Sequence, residues 1–144
     1  MDEAVIEGEY ESSKIIWNLI NDFLPKPYAF GKYKVLRPST YFYLSEFVDM
    51  DVATTPDLAE YTKRLAQMHK LSESPTGKFG FAVQKCDGQV AHTIDWQDNC
   101  AIFYRNLLLG VCERDLETNS PWPELERATK QVAEVIIPRL LGPL

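Results

Sequence analysis

Tyr28-Ala29-Phe30-Gly31-Lys32-Tyr33-Lys34 and Tyr41-Phe42-Tyr43-Leu44-Ser45-Glu46-Phe47 are two aromatic-rich runs parted by the polar turn Arg37-Pro38-Ser39. Aromatic side chains suit a pleated, half-buried surface, and a turn of this chemistry sends the chain back on itself. The runs therefore predict two strands, antiparallel neighbours. Upstream, Ala4 to Phe23 predicts a helix: Val5, Ile6, Ile15, Ile16, Leu19, Ile20 and Phe23 fall largely on one face, with acids early. Its apolar pattern begins almost at Met1, which leaves no room for an element before it. Pro25 and Pro27 are expected to end it, because proline breaks a helix and biases its predecessor to extended geometry. Two strands alone leave sheet edges unsatisfied. This stretch reads as the middle of a larger α+β fold.

Downstream the pattern turns helical. Thr54 or Thr55 before Pro56 predicts an N-cap with proline in the first helical position, and Leu58, Tyr61, Leu65 and Met68 are spaced for a buried stripe running to about Leu71. Ser72 to Gly80 reads as loop, and Phe81 to His92 as a short hairpin turning at Asp87-Gly88. Asp95 is expected to cap a long helix from Trp96 to Leu116. Ser120-Pro121 is expected to start the last helix, with Leu125, Val132, Ile136 and Leu140 recurring at helical spacing.

Charge and composition exclude several functions. Fifteen Lys and Arg against 21 Asp and Glu give a net charge of −6, the wrong sign for a protein that tracks nucleic-acid phosphates. No apolar run approaches the ~20 residues that span a bilayer. The acidic start Met1-Asp2-Glu3 lacks the basic lead of a secretory signal. Cys86, Cys100 and Cys112 are odd in number and form no CxxC pair, so free thiols in a reducing, cytoplasmic setting are expected. No three of the seven glycines sit at GxGxxG spacing. Gly77-Lys78-Phe79-Gly80 reads as a tight turn rather than a phosphate cradle. Neither His69 nor His92 has a partner at metal-ligand spacing, and His69 reads as a packing or capping residue near a helix end. The acidic groups Glu7/Glu9/Glu11, Glu46/Asp49/Asp51 and Asp95/Asp98 read as solvated faces or caps. Trp96-Gln97-Asp98 differs: an aromatic ring beside carboxylates suits a sugar site, and core packing of Trp96 suits it equally.

Taken in order along the chain, the motifs carry more than composition does. They are Gly8-Glu9-Tyr10-Glu11-Ser12, Leu24-Pro25-Lys26-Pro27-Tyr28-Ala29, Thr40-Tyr41-Phe42-Tyr43-Leu44 and Phe47-Val48-Asp49-Met50. They continue through Leu65-Ala66-Gln67-Met68-His69-Lys70, Ser74-Pro75-Thr76-Gly77-Lys78-Phe79-Gly80-Phe81, Trp96-Gln97-Asp98 and Val135-Ile136-Ile137-Pro138-Arg139-Leu140-Leu141. This series resembles the fructosamine kinase family, the protein-ribulosamine and protein-fructosamine 3-kinases, and especially its fungal members. The resemblance covers essentially the whole chain, and Thr-Gly-Lys-Phe-Gly-Phe followed by Trp-x-Asp is its most specific part.

The resemblance implies an α+β, protein-kinase-like fold: residues 1–50 as part of an N-lobe, and residues 51–144 as part of a helical C-lobe with a substrate-side insertion. It makes the first helix similar to the kinase αC, with Glu9 as the partner of a strand lysine that holds nucleotide phosphates. It puts Ser45 at the gatekeeper place and makes Glu46, Phe47 and Val48 the hinge that binds the adenine edge of ATP. Trp96 and Asp98 fall on the substrate side, with Cys100 where the family usually has a second tryptophan. ATP and Mg²⁺ are the implied cofactors, and glycated proteins or small ketosamines the implied substrates, with no nucleic acid or membrane partner. The first lysine is Lys14, downstream of Glu9, and no His-Gly-Asp-Leu-Trp catalytic segment follows Ile-Pro-Arg-Leu-Leu. The chain is therefore expected to be a central fragment without phosphoryl transfer of its own, because positioning and charge stabilisation supply nearly all of that catalysis. The alternatives are a non-catalytic nucleotide- or partner-binding fragment, or a related small-molecule kinase of the choline or aminoglycoside type.

Overall fold

The computed structural model describes residues 3–34, 37–51, 53–88 and 90–143. Met1-Asp2 of the acidic start and the final Leu144 lie outside the described residues. The chain divides into two compact units, Met1–Glu73 and Ser74–Leu144. Both mix helices with small antiparallel strand pairs, an α+β composition. Among the described residues, no helix is long and apolar enough to cross a membrane.

In the first unit, α1 (Glu3–Leu19) lies against the strands β1 (Pro27–Lys32) and β2 (Tyr41–Ser45). The strands pair antiparallel as expected, with Phe30 opposite Tyr43, Lys32 opposite Tyr41, and an irregularity between Pro27 and Ala29. Tyr10 joins helix to sheet: its ring centroid lies 5.0 Å from that of Phe30 and 6.4 Å, edge-on, from that of Tyr43. Ile6, Ser13 and Ile20 are buried, whereas Ile15 stays half exposed.

The first helix ends before Phe23, and before the prolines. Asp22 sits in the left-handed region at φ 63°, which a short polar side chain tolerates and an α-helix cannot continue through. Phe23 is thereby turned onto α2 (Leu58–Leu71), where it stacks on Tyr61 at 6.2 Å. Arg64 of α2 donates to the carbonyl of Asn21 at 3.2 Å, satisfying a group freed by the helix end.

The cap of α2 is Asp57, not Thr54 or Thr55, and Pro56 precedes the helix. The Asp57 carboxylate accepts from the N–H groups of Ala59 and Glu60 at 2.9 and 3.0 Å, while the Thr54 hydroxyl is turned back to Asp51. The expected buried stripe is not buried. Leu65 and Met68 are half-buried, and Leu58 and Tyr61 are exposed.

In the second unit, Cys86–Asp87 (β3) and Val90–Ala91 (β4) form the expected hairpin, with Gly88 at φ 61°. Helix α3 runs from Cys100 to Thr118 and begins later than expected, capped by Asn99 rather than Asp95. Residues 95–98 are withheld from it because Gln97 is bridged to Phe79. Helix α4 (Pro123–Gln131) likewise starts at Pro123 rather than after Ser120-Pro121, because the proline holds Trp122 extended at φ −125°.

A π-helical turn, Val132–Ile136, leads from α4 into α5 (Ile137–Leu141). Pro138 has no N–H to donate, and the Ile137 N–H reaches back five residues to the carbonyl of Val132. The wider turn resets the buried face. Ala133 and Ile137 are buried, whereas Val132, Ile136 and Leu140, which regular 3.6-residue spacing puts inside, are exposed. The three thiols are free and half-buried.

Candidate functional site

The site with the most defined geometry is built within the second unit by two short segments, Ser74–Phe81 and Ile94–Asp98. The first is shaped by its own side chains. Ser74 Oγ donates to the carbonyl of Lys78 at 2.6 Å, Thr76 Oγ1 accepts from the Lys78 N–H at 3.2 Å, and Gly77 at φ 70° makes the reversal. The Gly-x-x-Gly stretch is thus a turn, as its chemistry predicts.

Beyond the turn the chain pairs antiparallel with the second segment. Phe79 and Gln97 exchange both backbone hydrogen bonds at 2.8 Å, and the Phe81 N–H reaches the carbonyl of Ile94 at 3.1 Å. The Phe79–Gln97 register sets Lys78 opposite Asp98 and Gly80 opposite Trp96. Lys78 and Asp98 thus face each other across the bridge, as do Gly80 and Trp96. Two consequences follow. Lys78 Nζ pairs with Asp98 Oδ1 at 2.9 Å. The half-buried Trp96 lies over Gly80 so closely that a Cβ there would come within 2.8 Å of the Trp96 Cα and of its ring carbons. The two paired segments thereby carry an indole, an exposed carboxylate and an ammonium, groups that can stack on the C–H face of a sugar and bond its hydroxyls.

In the first unit, Glu46 is tied at the end of β2 from both sides. Its N–H donates to the carbonyl of Lys26 at 2.8 Å, and its carboxylate accepts from the Lys26 N–H at 3.2 Å. Phe47 is 89% exposed and Val48 is exposed beyond it. Glu9 is exposed on α1, one position before the Tyr10 that packs on the sheet. His69 is exposed in the last turn of α2. Asp51 has its carboxyl held below the ordinary range, chiefly by the Thr54 hydroxyl and then by the Ala53 N–H. Among the described residues, no three His, Cys, Asp or Glu side chains gather as a metal cluster. A Mg²⁺ site is not built by the described residues.

Sequence reading alone missed Lys78 as the partner of Asp98. Twenty positions part them, and only the antiparallel register of Phe79 with Gln97 aligns them. It also missed a cavity of about 320 Å³ between α3 and α4, floored by Leu109, Leu116, Leu125 and Ala133 with Trp122 beside it.

Comparison with known proteins adds one finding. The model of the family described as fructosamine kinase matches residues 2–139. No curated protein and no solved structure matches the chain.

Proposed function

The chain belongs to the fructosamine kinase family, and from that premise we propose that it carries the nucleotide hinge and the substrate face of a protein-kinase-like ketosamine 3-kinase. The family is one of phosphotransferases that phosphorylate ketosamines, and kinases generally use ATP with Mg²⁺. In this reading residues 1–50 are part of the N-lobe, with Glu9 on the αC-like helix and Glu46, Phe47 and Val48 as the hinge. Residues 51–144 are part of the helical lobe, with Trp96 and Asp98 on the substrate side. The observation that carries it is the family match along nearly the whole chain, supported by the pairing of two segments that brings Lys78 to Asp98 and Gly80 to Trp96.

The reaction proposed for the family's active site is attack by the C3 hydroxyl of a lysine-linked sugar on the γ-phosphorus of ATP. The new O–P bond forms as the bond to ADP breaks, and the hydroxyl proton passes to a carboxylate base. ATP supplies the phosphoryl group when bound; the residues of this chain hold its base and orient the sugar. Glu46 is fixed by Lys26, so the peptide edge beyond it is presented in a set direction. Trp96 and Asp98 hold the ketosamine by stacking and hydroxyl bonding. Within these 144 residues no lysine precedes Glu9 and no His-Gly-Asp triplet occurs. The chain by itself is therefore expected to bind and not to turn over.

Amide NMR of the labelled chain with ATP and Mg²⁺ tests the hinge, with shifts expected at Phe47 and Val48. Phosphorus NMR of the same sample with fructosyl-lysine should show no sugar phosphate. Shifts elsewhere without any at the hinge contradict the nucleotide assignment, and a sugar phosphate contradicts the catalytic silence.

A further inference from the structure

We propose that Lys78 is a positioning residue for ketosamine recognition: it holds the Asp98 carboxylate by one oxygen so that the other is presented, beside the Trp96 indole, to a sugar hydroxyl. This rests on the reading of Trp96 and Asp98 as the substrate side and adds a residue and a mechanism to it.

The geometry carries the inference in three steps. First, the Lys78–Asp98 contact is to Oδ1, at 2.9 Å, and the Asp98 side chain is 83% exposed. A carboxylate accepts at two oxygens, so pairing one leaves acceptor capacity facing solvent. Second, the backbones carrying the two groups are fastened next to the pair. The reciprocal Phe79–Gln97 bonds lie one residue away, and the Ser74 hydroxyl grips the Lys78 carbonyl at 2.6 Å. An exposed ion pair ordinarily loses most of its value to the entropy of two free side chains, and fixing both backbones lowers that loss. Third, the same bridge seats Trp96 over Gly80, so the carboxylate and the aromatic surface are set by one pairing. A sugar needs both at once, an apolar face to stack on and an acceptor at a set distance from it. This pair joins segments twenty residues apart, whereas Lys14–Glu11, Lys63–Glu60, Arg114–Glu117 and Arg127–Glu124 are spaced three apart on single helices.

The test is a titration with Nα-blocked fructosyl-lysine, followed by calorimetry, on the wild-type chain and on Lys78→Met, Lys78→Arg and Asp98→Asn, with thermal unfolding of each. Wild type should bind, and Asp98→Asn should bind much more weakly. Lys78→Met should lose about threefold to fivefold in affinity, the range an exposed ion pair can supply, with its melting temperature little changed. Lys78→Arg, which can keep the pair, should bind within about twofold of wild type. If wild type and Lys78→Met bind equally while Asp98→Asn is weak, Lys78 is idle and the inference fails while the substrate-side reading stands. If Met and Arg variants are equally weak and both melt early, Lys78 is structural and the inference fails. If wild type does not bind, the substrate-side reading falls and the inference with it.

Discussion

Replacing Gly80 with alanine probes the pairing that joins Phe79 to Gln97 and seats Trp96. Gly80 is not held in the left-handed region, unlike Gly77 at 70° and Gly88 at 61°, so alanine is compatible with its backbone and the effect must come from contact. The added Cβ would lie 2.8 Å from the Cα, Cδ2 and Cε3 of Trp96, whereas ordinary contact begins at 3.4 Å. The Trp96 Cα is backbone and cannot rotate away, so the segments must part by about 0.6 Å, the difference of those distances. A shift of that size, borne by the Phe79–Gln97 bonds, would stretch them from 2.8 Å toward the limit of a hydrogen bond. Overpacking of this kind costs about 1–3 kcal/mol. The stiffer unfolded chain offsets about 0.4–1 kcal/mol, leaving a net loss of about 0.6–2 kcal/mol. The assay is thermal unfolding with Trp96 emission, read in a Trp17→Phe/Trp122→Phe background. Gly80→Ala should melt earlier and shift the Trp96 emission. Gly77→Ala, which meets nothing within 4 Å, should carry only a backbone penalty and leave that emission alone. A Gly80→Ala protein as stable as its parent, with unchanged emission, refutes the close pairing.

Other expectations follow from the same packing. Asp57→Ala removes the acceptor for two α2 N–H groups and should cost about 0.5–2 kcal/mol, seen as faster hydrogen exchange at Ala59 and Glu60; unchanged exchange would mean the cap is idle. Ile137→Ala, at 3% exposure, should destabilise by about 2–5 kcal/mol, and Ile136→Ala, at 39%, by much less; the reverse order in denaturant melts would reject the π-helical turn. Asp51 has a folded pKa below its ordinary 3.8, so its turn should be held above pH 3.8 and released as pH falls through the lower value. The Ala53 amide shift would track this, and a midpoint at or above 3.8 counts against the Thr54 bond. Leu44 and Tyr28, each about half exposed on the two strands, should promote association at high concentration. Leu44→Lys should reduce it on size exclusion, and a wild type that stays monomeric throughout would show these edges to be inert.

Where elements repeat with a clear period, the sequence was a good guide to their kind. The aromatic runs at 28–34 and 41–47 hold the paired strands, though each strand ends two residues sooner, at Lys32 and Ser45, and the early apolar face is a helix packed on them. Element ends were less legible because they depend on competition between local options. Asp57 outdoes Thr54 and Thr55 as a cap, Asp22 stops α1 by a backbone conformation that composition does not announce, and the bridge at Gln97 delays α3. The last helix shows the sharpest limit. A constant 3.6-residue period cannot foresee a π-helical turn, and one inserted turn exchanges Val132 and Ile136 for Ala133 and Ile137 on the buried face. Trp96 and Asp98 stood out as an aromatic beside a carboxylate. Their partners Gly80 and Lys78 were hidden because the pairing is long-range and rests on a single bridge.

The central claim is that the face bearing Trp96 and Asp98 receives a ketosamine. Saturation-transfer NMR on a mixture of fructosyl-lysine and unmodified lysine with the wild-type chain tests it directly. Transfer to the sugar protons of fructosyl-lysine, with none to free lysine and loss of the effect in Trp96→Ala, is the result expected. No transfer to the sugar, or equal transfer to both compounds, would contradict the claim.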